Sequence, residues 1–390
     1  MTVVIVVWII FVLLAAWIVK TAGWRFAAQR LGGMVLILFL VTLGTTWMLR
    51  QVPGDPCITA LGTGATEEAV AECRADRGLD DHVLSQYGTW AGDVLSGDLG
   101  YAQYRTQIPL TKVLQDRLPR SAWLFLYSQL IALAIAVPLG IWAAYQSGRA
   151  PRKVPRWLLP AMVIPLFAVS VIWGWSLAAI LAFVFLIPIY IFNGFRGGVG
   201  ADHVVNASAF VLLSIPVFVL GETLRYVFAI QNDLYDLVGY SAWSEGVAAH
   251  LKSVWLPALV LGLAVSPVYL RLLRADMIQN LQQDFVSVAK AKGMSNRHIL
   301  LRHVLRPSTL TLLTVAGLNI AQLVNGAIVV EFIYDYDGMG SYLIEAVAAR
   351  EFFPVQTLVA LVAVLFVLTN TVIDVVYTSV DPRVKADSDK

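Results

Sequence analysis

The chain has 390 residues, of which 58% are hydrophobic and 14% charged, whereas soluble proteins carry about 25% charged residues. Its mean hydropathy is +0.72, and one soluble core cannot bury that much apolar surface, so an ordinary globular domain is excluded and an all-α polytopic membrane protein is implied. A net charge of only +2 gives no reason to expect a nucleic-acid partner.

In chain order, apolar spans are predicted over residues 2–19, 31–49, 121–145, 207–230, 254–273, 308–330 and 355–377. Each is long enough to cross a bilayer. A further run, 157–193, is too long for one crossing and contains Pro160, Pro165 and Gly174 between two tryptophans.

The charges sort these spans into a topology. Short cytoplasmic loops collect Lys and Arg, which places Lys20, Arg25 and Arg30, then Arg149, Arg152, Lys153 and Arg156, then the seven basic residues of 271–306, on the cytoplasmic side. Residues 51–118 hold ten acids against five bases. They are placed outside, with the loops at Asp233, Asp236 and at Asp335, Asp337. An even number of crossings must separate the basic loops at Arg149 and Arg271, so 157–193 is expected to be a hairpin turning near Gly174. That yields nine spans, with the N-terminus outside and the C-terminus inside. Basic residues follow the first span instead of preceding it, so it is expected to remain as an anchor.

The outside segment is expected to form a small helical cap, with intermittent apolar spacing over 79–95 at Val83, Leu84, Tyr87, Trp90 and Val94. Cys57 and Cys73, the only cysteines, are expected to form a disulfide there, closing a loop of about 16 residues.

In the large cytoplasmic loop, Asp284 is expected to N-cap a short helix that Gly293 stops, with Lys290 and Lys292 in its last turn, where the helix dipole favours them. One face would present Phe285, Val288, Ala289 and the stem of Lys292. From the residues alone, that face reads equally as a partner surface or as an interfacial helix tidying the loop.

Within the spans, Glu222 lies three residues before Arg225 on one helical face. It reads either as a path-lining carboxylate or as half of a structural pair, since a lone intramembrane acid is costly. Asn319, Gln322 and Asn325 recur at i, i+3 and i+6, and with Gly317 and Gly326 they read as a path-lining or a helix-packing face. The five histidines have no metal-ligand spacing, so no metal is expected. No lysine follows a glycine, so no phosphate-binding loop is present.

The segment Asp284-Phe285-Val286, continuing through Ala289-Lys290-Ala291-Lys292-Gly293, resembles the coupling motif of ABC importer permeases in the form of the dipeptide and oligopeptide branch. Other stretches match that branch in order: Pro53-Gly54-Asp55-Pro56, Gly97-Asp98-Leu99-Gly100, Arg117-Leu118-Pro119 opening the next span, Ser214 through Phe218, Trp255 through Ala258, Val330-Glu331, Gly338-Met339-Gly340 and Asp381-Pro382-Arg383. Ser287, Val288 and Pro307 depart from the general motif.

The resemblance covers about residues 31–383 and implies a six-span core, against which the chain is expected to divide into an extra anchor over 1–30, a first core helix over 31–50, the extracytoplasmic cap over 51–118, a permease core over 119–383 and a cytoplasmic tail over 384–390, the anchor and the 157–193 hairpin being departures from the family pattern. Within the core lie the extra hairpin 157–193 and a coupling loop over 275–306. The six-helix core plus about three extra helices would sit in a bacterial inner membrane and pair with a second homologous permease. Two ATPase subunits or domains would carry ATP and Mg, a binding protein would deliver cargo to the cap, and this chain would hold no cofactor and no catalytic residue. Di- or oligopeptides are the expected cargo, with nickel or oligosaccharide as alternatives. A stand-alone ion-driven transporter is the rival reading. Neither inverted repeats with interrupted helices nor convincing midplane carboxylates are evident to support it.

Overall fold

The computed structural model describes residues 24–62, 64–102, 108–147, 201–237 and 239–380, together with Trp17. The expected first span, the 157–193 hairpin, the Asp381-Pro382-Arg383 motif and the tail lie outside the described residues. Among the described residues the structure is helical, the one pairing of extended backbone being an isolated bridge between Tyr101 and Pro109. Among the described residues four helical stretches, Leu31–Gln51, Leu110–Gln146, Val247–Leu281 and Phe352–Val372, are each long and apolar enough to cross a membrane, and the number is six if each of two bent helix pairs counts as one span.

The chain divides into two compact units, 1–121 with 337–390, and 122–336. In the first, α1 (Trp24–Gln51) packs along α13 (Phe352–Val380). Gln356 donates to Thr46 Oγ1 at 2.8 Å and Thr371 donates to Met34 Sδ at 3.6 Å, an order of contacts that makes the two helices antiparallel. The cap consists of α2 (Pro56–Leu61), α3 (Glu67–Asp76) and α4 (Val83–Ser96). Trp90 of α4 is buried and donates to Thr357 at 3.3 Å, and the Tyr87 hydroxyl lies 3.0 Å from that of Thr42. Leu84, expected on the same apolar stripe, is instead exposed. A small core of Leu99, Leu110, Leu114, Met339, Tyr342 and Leu358 joins the start of α5 (Leu110–Gln146) to α12 (Met339–Ala348).

The second unit is built around α8 (Val247–Leu281), whose buried residues include Leu256, Leu261, Tyr269, Leu273 and Met277. Helices α6 (Ala201–Ser214), α7 (Val217–Arg225), α10 (Leu305–Leu318) and α11 (Ile320–Ile333) pack against it. α5 (Leu110–Gln146) begins in the first unit and continues into the second. It starts well before the expected residue 121, so Arg117-Leu118-Pro119 lies inside the helix instead of opening it.

Two expected spans are broken. The run expected over 207–230 is two helices meeting at 92°, Val204–Ser214 and Val217–Gln231. Pro216 explains the break, because it lacks an amide N–H and drives Ile215 out of the helical region. The run expected over 308–330 bends by 57° between Leu318 and Leu323. At that bend the Asn319 side chain donates to the Val315 carbonyl at 2.8 Å, a local bond that competes with regular helix.

Candidate functional site

The cytoplasmic-loop helix α9 runs Asp284–Ala291 and differs from expectation at its start, where Gln283 is the N-cap and Asp284 is the first helical residue. Asp284 then acts as a first-turn acid, where the helix dipole favours negative charge, and makes no capping bond. The far end is a two-bond Schellman stop: Gly293 N–H donates to the Lys290 carbonyl at 2.9 Å and Met294 N–H to the Ala289 carbonyl at 3.2 Å. Gly293 sits at φ +74°, a conformation that costs a residue with a β-carbon roughly 1–2 kcal/mol.

The face expected as Phe285, Val288, Ala289 and Lys292 is divided. Val286 and Ala289 are 1% and 6% exposed and join the core that also holds Met277, Ile299, Leu300 and Val304. Phe285 and Val288 are 41% and 54% exposed, and Lys290 and Lys292 are exposed beside them. Ala289 therefore belongs to the anchoring side, because the amphipathic helix turns its narrower, smaller-residue edge inward and leaves an aromatic and a branched residue outside. Helix α9 is held from both ends. Asn280 bridges Asp276 at 3.1 Å and Ser308 at 2.9 Å, joining α8 to α10, and Ser295 caps the return segment that leads into a π-turn at Ile299–Val304.

The path candidates do not form one face. Glu222 accepts from Arg225 Nε at 2.9 Å within α7, as a half-exposed i, i+3 pair. Asn319 is buried at the bend and Asn325 is exposed on α11, so the helix break removes the expected i, i+3, i+6 register. The side chain of Gln322 lies outside the described residues. A polar contact that spacing does not signal joins three helices instead. The Tyr269 hydroxyl donates to Gln129 Oε1 at 3.0 Å, and Gln129 Nε2 donates to the Ala316 carbonyl at 3.3 Å.

The cap is organised by motif residues. Gly54 has φ +106°, and a β-carbon there would fall 1.6 Å from a guanidinium nitrogen of Arg350. Asp55 accepts the Cys57 amide at 2.8 Å and Arg74 Nε at 2.8 Å, and Pro56 occupies the first turn, where its missing N–H costs nothing. Burial pushes the Asp55 carboxyl up, but the Cys57 amide, Arg74 and the Ile58 amide together outweigh it and hold the group below the usual carboxylate range. Cys57 and Cys73 are bonded, with Cα atoms 5.9 Å apart, tying α2 to α3. Asp98 accepts the Gly100 amide at 2.9 Å, turning the chain back toward α5.

Two arginine anchors of this unit had no sequence signal. Arg77 pairs with Glu351 at 2.7 Å with both side chains 7% exposed, and Arg50 donates to Gln86 at 3.0 Å and to the carbonyls of Leu79 and Asp81. The partners of the first pair are 274 residues apart, beyond the reach of any spacing rule. Arg117 lies 4.9 Å over the Tyr342 ring and 3.4 Å from Glu345. Among the described residues no cluster of His, Cys, Asp or Glu is arranged to hold a metal.

Residues 194–386 match the family described as binding-protein-dependent transport system inner membrane component, and 24–124 match the N-terminal model of the corresponding membrane component. A probable peptide ABC transporter permease protein of Sinorhizobium fredii is 28% identical over 357 residues, covering 92% of this chain and 98% of the relative. A dipeptide transport system permease protein of Alkalihalophilus pseudofirmus is 28% identical over 92% of this chain and 99% of its own length. A glutathione transport system permease protein of Escherichia coli O6:H1 is 27% identical over 93% and 99%. With both family models matching in order along a chain of long apolar helices, the chain belongs to the binding-protein-dependent transport system inner membrane component family.

Proposed function

We propose that this chain is the permease subunit of an ATP-driven importer of di- or oligopeptides, pairing with a second homologous permease and coupled through α9 to separate ATPase subunits. The observation that carries the coupling role is the division of α9 into a buried Val286/Ala289 side and an exposed Phe285/Val288 side flanked by Lys290 and Lys292. A helix fixed to its own core by one edge transmits a push on the other edge into that core. Phe285 and Val288 are suited to an apolar groove on the ATPase, with the lysines meeting acids at its rim. Closure of the ATPase dimer around ATP and Mg would then displace α8 and α10 through Met277, Asn280 and Ser308, converting inward-facing to outward-facing states. Peptide cargo is supported by the relatives above, which are permeases of peptide, dipeptide and glutathione transport systems, glutathione being itself a small peptide.

The cap's acidic surface would receive the substrate-binding protein on the outer side, and the Glu222–Arg225 pair, Asn319, Gln322 and Asn325 are candidate path residues of this reading. The test is co-purification of the tagged chain from its native membrane. ATPase subunits should be retained by the wild type and lost from a Phe285→Asp/Val288→Asp variant that is still inserted and folded. Retention of full ATPase activity by that variant, or transport by the purified chain without ATP, would overturn the proposal and promote an ion-driven transporter.

A further inference from the structure

Helices α6, α8 and α10 line an open groove of about 480 Å³ that α9 and the path candidates above do not use. Phe210, Val268, Leu272 and Val315 provide its apolar wall, while Arg271 and Arg274, with Asn206, provide its polar part. The Arg271 guanidinium lies 3.8 Å over the Phe210 ring, and among the described residues no carboxylate pairs with it. Stacking on an aromatic face leaves the planar N–H edge of an arginine directed outward, where it suits a bidentate acceptor such as phosphate. Arg274 follows at i+3 on the same helical face.

The groove lies where the apolar run of α8 gives way to the basic loop. Along α8, Val268 lies about one turn toward the span from Arg271 and Arg274 about one turn toward the loop, which is the order of an acyl chain and its headgroup. On the topology of the proposed function, that boundary is the cytoplasmic one, where anionic lipids attract juxtamembrane arginines.

We propose that this groove holds an anionic phospholipid of the cytoplasmic leaflet, its phosphate on Arg271 and Arg274 and an acyl chain along Phe210, Val268, Leu272 and Val315. The lipid would brace α6 and α10 against α8 immediately above the coupling loop. This inference rests on the inside-outside orientation of the proposed function, but not on its cargo or its ATPase partner.

The test uses the full chain purified with its partners in detergent, with native mass spectrometry reading retained lipid during titration with palmitoyl-oleoyl phosphatidylglycerol or with phosphatidylcholine of the same chains. Phosphatidylglycerol should be retained preferentially, and Arg271→Gln/Arg274→Gln should lower that retention about thirtyfold, as expected for two surface arginines. A charge-matched control, Arg302→Gln/Arg306→Gln, should leave it unchanged. Ala275→Phe, which fills the groove without altering charge, should also expel the lipid while thermal unfolding stays near wild type, separating occupancy from misfolding.

Equal retention of the two lipids, or undiminished retention by the double variant, would overturn the proposal and leave the groove to residues 148–200 or to the second permease. Displacement of the lipid by excess dipeptide would overturn it in favour of a cargo site. Loss of ATPase subunits from the Phe285→Asp/Val288→Asp variant is read separately, so failure of the coupling reading would leave the lipid result standing.

Discussion

At the residue scale, buried charge is placed in this protein by tertiary contact. Arg77 and Glu351 are both nearly buried, and breaking such a pair by removing one partner costs about 3–5 kcal/mol. Arg77→Ala should therefore lower the thermal midpoint of the purified protein sharply, and the Arg77→Ala/Glu351→Ala double variant should lose less than the sum of the single changes. Asp55 offers a pH test whose sign follows from its depressed carboxyl. Its contribution is fully present above the unfolded value of 3.8 and is lost as pH falls through the lower folded value. Amide exchange over residues 57–61, corrected for intrinsic rate, should accelerate only below that value in the wild type. In Asp55→Asn it should already be fast at neutral pH.

At the scale of elements, the α9 division yields opposite expectations for adjacent positions. Phe285→Ala should leave stability within about 0.5 kcal/mol, as at other exposed positions, while reducing ATPase association. Val286→Asp places a charge in the core and should unfold the loop, which limited proteolysis between α8 and α10 would detect. The α2–α3 pair offers a second case. Cys57→Ser opens a loop with a sequence separation of 16, worth about 3 kcal/mol in the chain-entropy model. The cap should become protease-sensitive while α1 and α13, held by Thr46–Gln356, remain paired.

At the scale of the whole molecule, topology is the testable quantity. Reporter fusions should read outside at the Asp233–Asp236 loop and near Gly174, and inside within 284–293. A cytoplasmic reading near Gly174 would replace the expected hairpin with a re-entrant segment.

Much of this architecture was legible in the sequence because a bilayer imposes length and charge rules on consecutive residues. Apolar runs located the four long helices among the described residues, and the Pro-Gly-Asp-Pro and Gly-Asp-Leu-Gly stretches form local joints whose chemistry acts within a few residues. The helix stop at Gly293 was readable for the same reason. What only the tertiary structure decided involves neighbours distant in sequence. Ala289 faces inward because Ile299, Leu300 and Val304 return beneath it. The apolar runs through Pro216 and Asn319 show no period change strong enough to reveal bends of 92° and 57°. The Arg77–Glu351 pair joins residues whose encounter depends on the packing of the cap on α13. Local chemistry is written into adjacent residues, whereas inward and outward faces, bends and buried ion pairs are selected by whatever the rest of the chain brings alongside.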